Sequence, residues 1–132
     1  MNKLKIKIIK PQKIIMDAEF DNIIVPGKDG DFGVYPGHTP FISVIRPGIL
    51  ELYNNEETIK FAIHDGYVSV ENDQVTILCE LIEKEDEVDT ARAEAARKRA
   101  EDRIKSQKED IDYRRAEIAL KKAMARLQII QR

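Results

Sequence analysis

Two histidines, His38 and His64, and a single cysteine, Cys79, are the residue types in this chain best suited to proton transfer or metal binding near neutral pH. Neither histidine is spaced with carboxylates or with Cys79 as a metal-ligand set. No nucleophile elbow and no Ser/His/Asp spacing occurs. His38 stands in a Pro-Gly loop and His64 beside a turn, so each reads as a hydrogen-bonding or packing residue. Cys79 closes the apolar run Val75-Thr76-Ile77-Leu78-Cys79 with no cation beside it, the setting of a buried, inert thiol. Being alone, it forms no internal disulfide. No enzymatic site, metal or catalytic cofactor is expected.

The more informative chemistry is ionic. Residues 1–88 hold 9 Lys/Arg against 16 Asp/Glu, and residues 89–132 hold 13 against 8. An acidic half is joined to a basic half. Arg92, Arg99 and Arg103 recur along one side of a helical pattern, and Arg115, Lys122 and Arg126 along one side of a second. The plain reading is a solvated face. The sharper one is a site for an anion or an acidic protein surface. Nucleic acid is disfavoured, because the basic half has only Tyr113 to stack on bases and the chain is slightly acidic as a whole.

The two halves need different folds to position these groups. All 6 Gly and 5 Pro lie at or before Gly66. Lys3 to Lys10 alternates, placing Leu4, Ile6 and Ile8 on one face, as in a half-buried strand. Further strands are expected at Asn22–Val25, Phe41–Ile45, Ile49–Tyr53, Thr58–Ile63, Tyr67–Val70 and Val75–Leu81, with turn residues between them. That spacing predicts a sandwich or flattened barrel. Gly27 to Pro40 reads as a long hairpin loop or a shaped docking loop. It is not a phosphate-binding loop, since Gly-x-x-x-x-Gly-Lys-[Ser/Thr] is absent. No apolar run reaches the roughly 18 residues of a membrane span. The N-terminal alternation is unlike a signal peptide, so the chain is expected to stay in the compartment where it is made.

From Asp89 the period becomes helical, with Asp89 as N-cap. Ala93, Ala96, Ala100 and Ile104 form one stripe; Tyr113, Ala116, Leu120, Ala123, Leu127 and Ile130 form another. An antiparallel helical hairpin turning near Ser106 to Asp112 is expected, with Ser106-Gln107-Lys108-Glu109 as a capping box or Asp110 or Asp112 as the cap. A single continuous helix of about 66 Å at ~1.5 Å per residue is the alternative. Small Ala faces bury little, so folded and extended arms are expected to lie within a few kcal/mol. The expected organisation is α+β: a flattened antiparallel β-sandwich at 1–84, a linker at 85–88 and a two-helix arm at 89–132.

Gly33-Val34-Tyr35-Pro36-Gly37-His38-Thr39-Pro40 followed by Arg46-Pro47-Gly48 resembles the epsilon-subunit family of the bacterial F-type ATP synthase. Asp65-Gly66-Tyr67-Val68-Ser69-Val70, Val75-Thr76-Ile77-Leu78 and the segment Asp110 to Leu127 extend the likeness over nearly the full length. Asp65 stands where the family often has Gly. The resemblance implies a non-catalytic central-stalk subunit on the cytoplasmic face of the bacterial cell membrane, touching the membrane only indirectly. Its sandwich would bind the gamma subunit and the c-ring, with Asp31 at the c-ring and His38 near the stalk interface. Its arm would extend toward the alpha and beta subunits and inhibit ATP hydrolysis. Some members bind ATP through [Ile/Leu]-Asp-x-x-Arg-Ala, which here is Val88-Asp89-Thr90-Ala91-Arg92-Ala93. Glu83, Arg99, Arg115, Lys122 and Arg126 fall at the further contact positions, with Lys where Arg is usual at 122. ATP is therefore the implied regulatory ligand, favouring the folded hairpin, with Asp89 and Glu83 free to accept hydrogen bonds from it. A free-standing nucleotide-sensing adaptor, its arm on an acidic partner, is the alternative.

Overall fold

The computed structural model of the chain describes residues 3–55, 57–106 and 110–130. Eight strands come first: β1 (Leu4–Lys10), β2 (Lys13–Phe20), β3 (Asn22–Gly27), β4 (Gly30–Val34), β5 (Phe41–Ile45), β6 (Gly48–Asn54), β7 (Glu57–Glu71) and β8 (Gln74–Lys84). A single 3₁₀ turn at Glu85–Glu87 leads to α1 (Thr90–Ser106) and α2 (Asp110–Ile130).

The long β7–β8 hairpin is the spine, paired from Phe61↔Lys84 to Glu71↔Gln74. Its turn residues Asn72 and Asp73 both hold left-handed backbone, φ 51° and 61°, as tight hairpins of this handedness require. The far edge of β8 is taken by β1, with β2 beyond it. The other edge of β7 is divided, its first half pairing with β6 and its second with β5. β3 pairs with β4, β5 and β6, which folds the sheet back on itself. The expected sandwich is present, and all pairings but one are antiparallel. β1 lies parallel to β8, from Lys5↔Gln74 to Ile9↔Leu78. Sequence alternation carries no sign of strand direction, so this was not legible beforehand.

Two strands lie where none was expected. β2 does not alternate, because as an edge strand it buries little besides Phe20. β4 lies inside the glycine-rich stretch and closes a hairpin on β3 through Lys28 and Asp29. Conversely, the two strands expected at 58–63 and 67–70 are one. It runs through Asp65-Gly66, where the inward phase of both spine strands inverts. Phe61 and Ile63 face the core before this point, and Val68 and Val70 after it. On β8 the inward residues change from Val75, Ile77 and Cys79 to Ile82. Asp65 takes φ 47° to make the change. Gly66 passes so close to β8 that a Cβ there would lie 2.1 Å from the Leu78 carbonyl oxygen. Asp65, where the resemblance implied Gly, thus keeps the left-handed geometry, since Asp tolerates it better than most residues.

Among the described residues, the sandwich core is drawn from residues 4–82 and no helical residue joins it. The helices have their own seam: Ala93 and Ala100 of α1 and Ala116, Ala123 and Leu127 of α2 are buried as the stripes predict. Only residues 107–109 separate α1 from α2, and the helices pack together, so they run antiparallel as expected rather than as one continuous helix. The capping box proposed at Ser106-Gln107-Lys108-Glu109 and the Asp110 or Asp112 caps rest on side chains that lie outside what is described. α2 also packs on β6 and β7. This is why Phe61, Ala62, Ile63 and His64 are all buried: alternate residues face the core, and the others face α2.

Candidate ligand and docking surfaces

The residues singled out around the arm fall into two groups. The first runs from the start of α1 along the hairpin. The Arg92 backbone N–H donates to Asp89 Oδ1 at 3.1 Å, so Asp89 is the N-cap the sequence indicated. Val88 precedes it in extended backbone and Ala93 is buried in the seam. Arg92, Arg99 and Arg115 are exposed, and none has an ion pair or side-chain hydrogen bond among the described residues. Arg99 lies seven residues before the end of α1 and Arg115 five after the start of α2. Antiparallel packing therefore sets them at about one level. By the same count Arg92 lies level with the stretch of α2 between Lys122 and Arg126.

The second group ties the hairpin to the sandwich. Arg126 Nε donates to Glu83 Oε1 at 2.6 Å, and Lys122 Nζ lies 2.9 Å from Asp65 Oδ2. Glu83 is therefore engaged rather than free, and Asp89 is committed to the cap. Both accept further hydrogen bonds only beside, or in place of, these partners. His64 lies under the same two cations and is fully buried. Burial foremost, then Arg126 and Lys122, lower its imidazole to about 4. It is a packing residue, as expected, yet neither ring nitrogen has a hydrogen-bond partner among the described residues.

At the other end of the sandwich the loop after β4 is braced. The Gly37 N–H donates to Asp73 Oδ1 at 2.6 Å, across to the β7–β8 turn, and Gly37 holds φ 87°. His38 Nδ1 is 2.7 Å from the Thr39 carbonyl, and its ring centroid is 4.8 Å from that of Phe41. Asp31 is exposed and accepts from Arg46 Nη2 at 2.7 Å, while Arg46 Nη1 donates to the Gly27 carbonyl. The stretch is thus the β3–β4 hairpin followed by a braced loop.

One surface was missed. Val44, Tyr67 and Leu78 sit side by side on β5, β7 and β8, in the register Val44↔Tyr67 and Tyr67↔Leu78. All three are exposed, and Ile42 beside them is 76% exposed. Val44, Tyr67 and Leu78 border a cavity of about 590 Å³ shared with Ile9 and Pro11. The signal was available in the outward positions of the alternating strands, where Tyr67 and Leu78 replace the polar residues such positions usually hold. Cys79 is buried and its thiol pushed up by burial, in keeping with an inert role. No group of three or more metal-ligating side chains occurs among the described residues. Among them, too, no helix is long and apolar enough to cross a membrane.

Residues 3–85 match the family described as the ATP synthase delta/epsilon chain, beta-sandwich domain, and residues 86–131 its long alpha-helix domain. The chain is 40% identical over 131 residues to the ATP synthase epsilon chain of Syntrophobacter fumaroxidans, covering 98% of this chain and 97% of that one. The chain belongs to the ATP synthase epsilon-chain family. The epsilon chain of Citrifermentans bemidjiense is 43% identical over 103 residues, 78% of this chain and 75% of that one. The epsilon-chain fold extends to distant solved structures. A chain of the Euglena gracilis mitochondrial ATP synthase superposes with TM-score 0.86 at 21% identity, over 96% of this chain and 79% of that one. A chain from the central stalk and c-ring of the Tetrahymena thermophila enzyme gives 0.71 at 13%, covering 98% of each.

Proposed function

We propose that this chain is a non-catalytic rotor subunit of a bacterial ATP synthase, peripheral to the membrane on its cytoplasmic face. Its sandwich joins the gamma subunit to the c-ring, and its helical hairpin is a movable arm that restrains ATP hydrolysis in the catalytic head. The exposed apolar strip Ile42, Val44, Tyr67 and Leu78 supports a permanent partner, since contiguous outward apolar residues on a strand face mark an interface. The braced loop bearing His38, and Asp31 exposed on β4 and held by Arg46, support further contacts with the rotor. A free-standing adaptor would need neither surface, and this favours the rotor reading.

ATP is the proposed ligand of the folded arm. The observation that carries this is the contrast between the two cation groups. Lys122 and Arg126 are spent on Asp65 and Glu83, whereas Arg92 at the capped start of α1, and Arg99 and Arg115 further along the hairpin, stand unpaired among the described residues. Like charges gathered by folding repel one another, and a polyphosphate between them reverses the sign of that term. Antiparallel folding is what gathers them, so the ligand favours the hairpin over an extended arm. A ligand bound only to the hairpin stabilises it by about 2.7 kcal/mol at a hundredfold excess over its Kd, enough to reverse a balance of a few kcal/mol.

Calorimetric titration of ATP into the wild-type chain and into the double variant Asp89→Ala/Arg92→Ala tests the site. Saturable binding to the wild type with affinity reduced at least tenfold in the variant is expected. Equal affinities, or no binding to the wild type at millimolar ATP, would remove this assignment and leave the rotor reading standing.

A further inference from the structure

Among the described residues, His64 is the one polar or charged side chain that is buried. It lies outside the sandwich core, on the face of β7 that α2 covers. Neither of its ring nitrogens has a hydrogen-bond partner among the described residues, which destabilises the docked arrangement that buries them. The charges around it are unbalanced. α2 brings Lys122 and Arg126 over the ring. Asp65, next to it on β7, is taken by Lys122 at 2.9 Å. From β8, Leu81 stands opposite, and Glu83 is held by Arg126 at 2.6 Å. On β6 the nearest charge in register, Glu51, faces Lys60 four residues along β7. Asp65 and Glu83 thus each already serve one cation, and Glu51 accepts from the Tyr53 hydroxyl. A proton on His64 would add a third positive charge at a fully buried ring whose nitrogens have no acceptor among the described residues.

We propose that His64 is a proton-operated latch: its protonation expels α2 from the sandwich and frees the hairpin. The latch adds an input to the regulatory reading. It does not rest on that reading, because docking of the hairpin is a property of this chain alone.

The direction follows from linkage. Undocked, His64 meets water and titrates at its ordinary value near 6.5. Docked, it is held to about 4 by burial and the two cations. The undocked form therefore binds the proton more readily. Docking is at full strength above about pH 6.5 and is lost progressively as pH falls from there through about 4. At pH 5.5 the docking constant is expected to be roughly tenfold lower than at pH 7.5.

The test is fluorescence transfer within the full-length chain. Dyes are carried on cysteines introduced at Thr58 and Gln128, with Cys79 replaced by Ala. Thr58 shares a surface cleft with Ile130, so the dyes are close when the hairpin is docked. Urea is added to the midpoint of hairpin release, so that a change in the docking constant is visible. The wild-type background is expected to lose transfer between pH 7.5 and 5.5, by about tenfold in the docking constant. The variant His64→Leu is expected to show no change over that range. Asp65→Asn removes the ion pair with Lys122 but keeps His64, so it is expected to weaken docking by the same factor at both pH values. Should His64→Leu fail to fold by circular dichroism, His64→Gln serves in its place. An unchanged wild type, or the same pH response in the position-64 variants, would overturn the latch.

Discussion

Asp65 is the residue on which the two halves of the molecule meet. It holds φ 47° where both spine strands change face, and its carboxylate reaches Lys122 on α2. A left-handed L-residue costs roughly 1–2 kcal/mol, less for Asp, and an exposed ion pair returns about 0–1 kcal/mol. Asp65→Gly is therefore expected to leave the sandwich as stable or up to ~1 kcal/mol more so, while loosening the hairpin. Thermal unfolding reads the first effect and hydrogen exchange of α2 the second; a less stable sandwich would contradict this account of the turn. The Asp89 cap was legible in the sequence because a cap and its N–H are three residues apart. Glu83–Arg126, 43 residues apart, was not legible as a pair, and neither was the burial of His64. Both depend on how α2 lies on β7, which no local pattern encodes.

At the scale of elements, β7 and β8 show what alternation conveys and what it hides. Each half of β7 alternates cleanly, so each was expected as a strand. The join was read as a turn because Asp-Gly ordinarily marks one. Here the same left-handed preference is used inside a ladder, with Gly66 packed against the Leu78 carbonyl. Gly66→Ala is expected to destabilise the sandwich by roughly 3 kcal/mol or more, because the clash is with backbone that cannot rotate away. Denaturant unfolding checks this, and a change below about 1 kcal/mol would contradict it. β2 and β4 went unseen for different reasons: an edge strand buries one residue, and a glycine-rich strand has few side chains to alternate. In the helical half the Ala stripes were enough to place the seam. Enlarging it by Ala123→Leu is expected to cost about 1–3 kcal/mol and to splay α1 from α2, measured as lost helix melting cooperativity with the sandwich unaffected.

The whole molecule has, among the described residues, two cores in series: a sandwich core from residues 4–82 that includes no helical residue, and a thin alanine seam held to it by two ion pairs. That division makes the arm separable. A chain ending at Lys84 is expected to remain folded and to bind the gamma subunit through the strip around Tyr67 and Leu78. The same division gives the regulatory claim its sharpest test, which is the ATP hydrolysis rate of the assembled complex carrying either the full chain or the chain ending at Lys84. The account predicts faster hydrolysis with the shortened chain. Equal rates in complexes of equal subunit content would contradict the claim that the hairpin is an inhibitory arm.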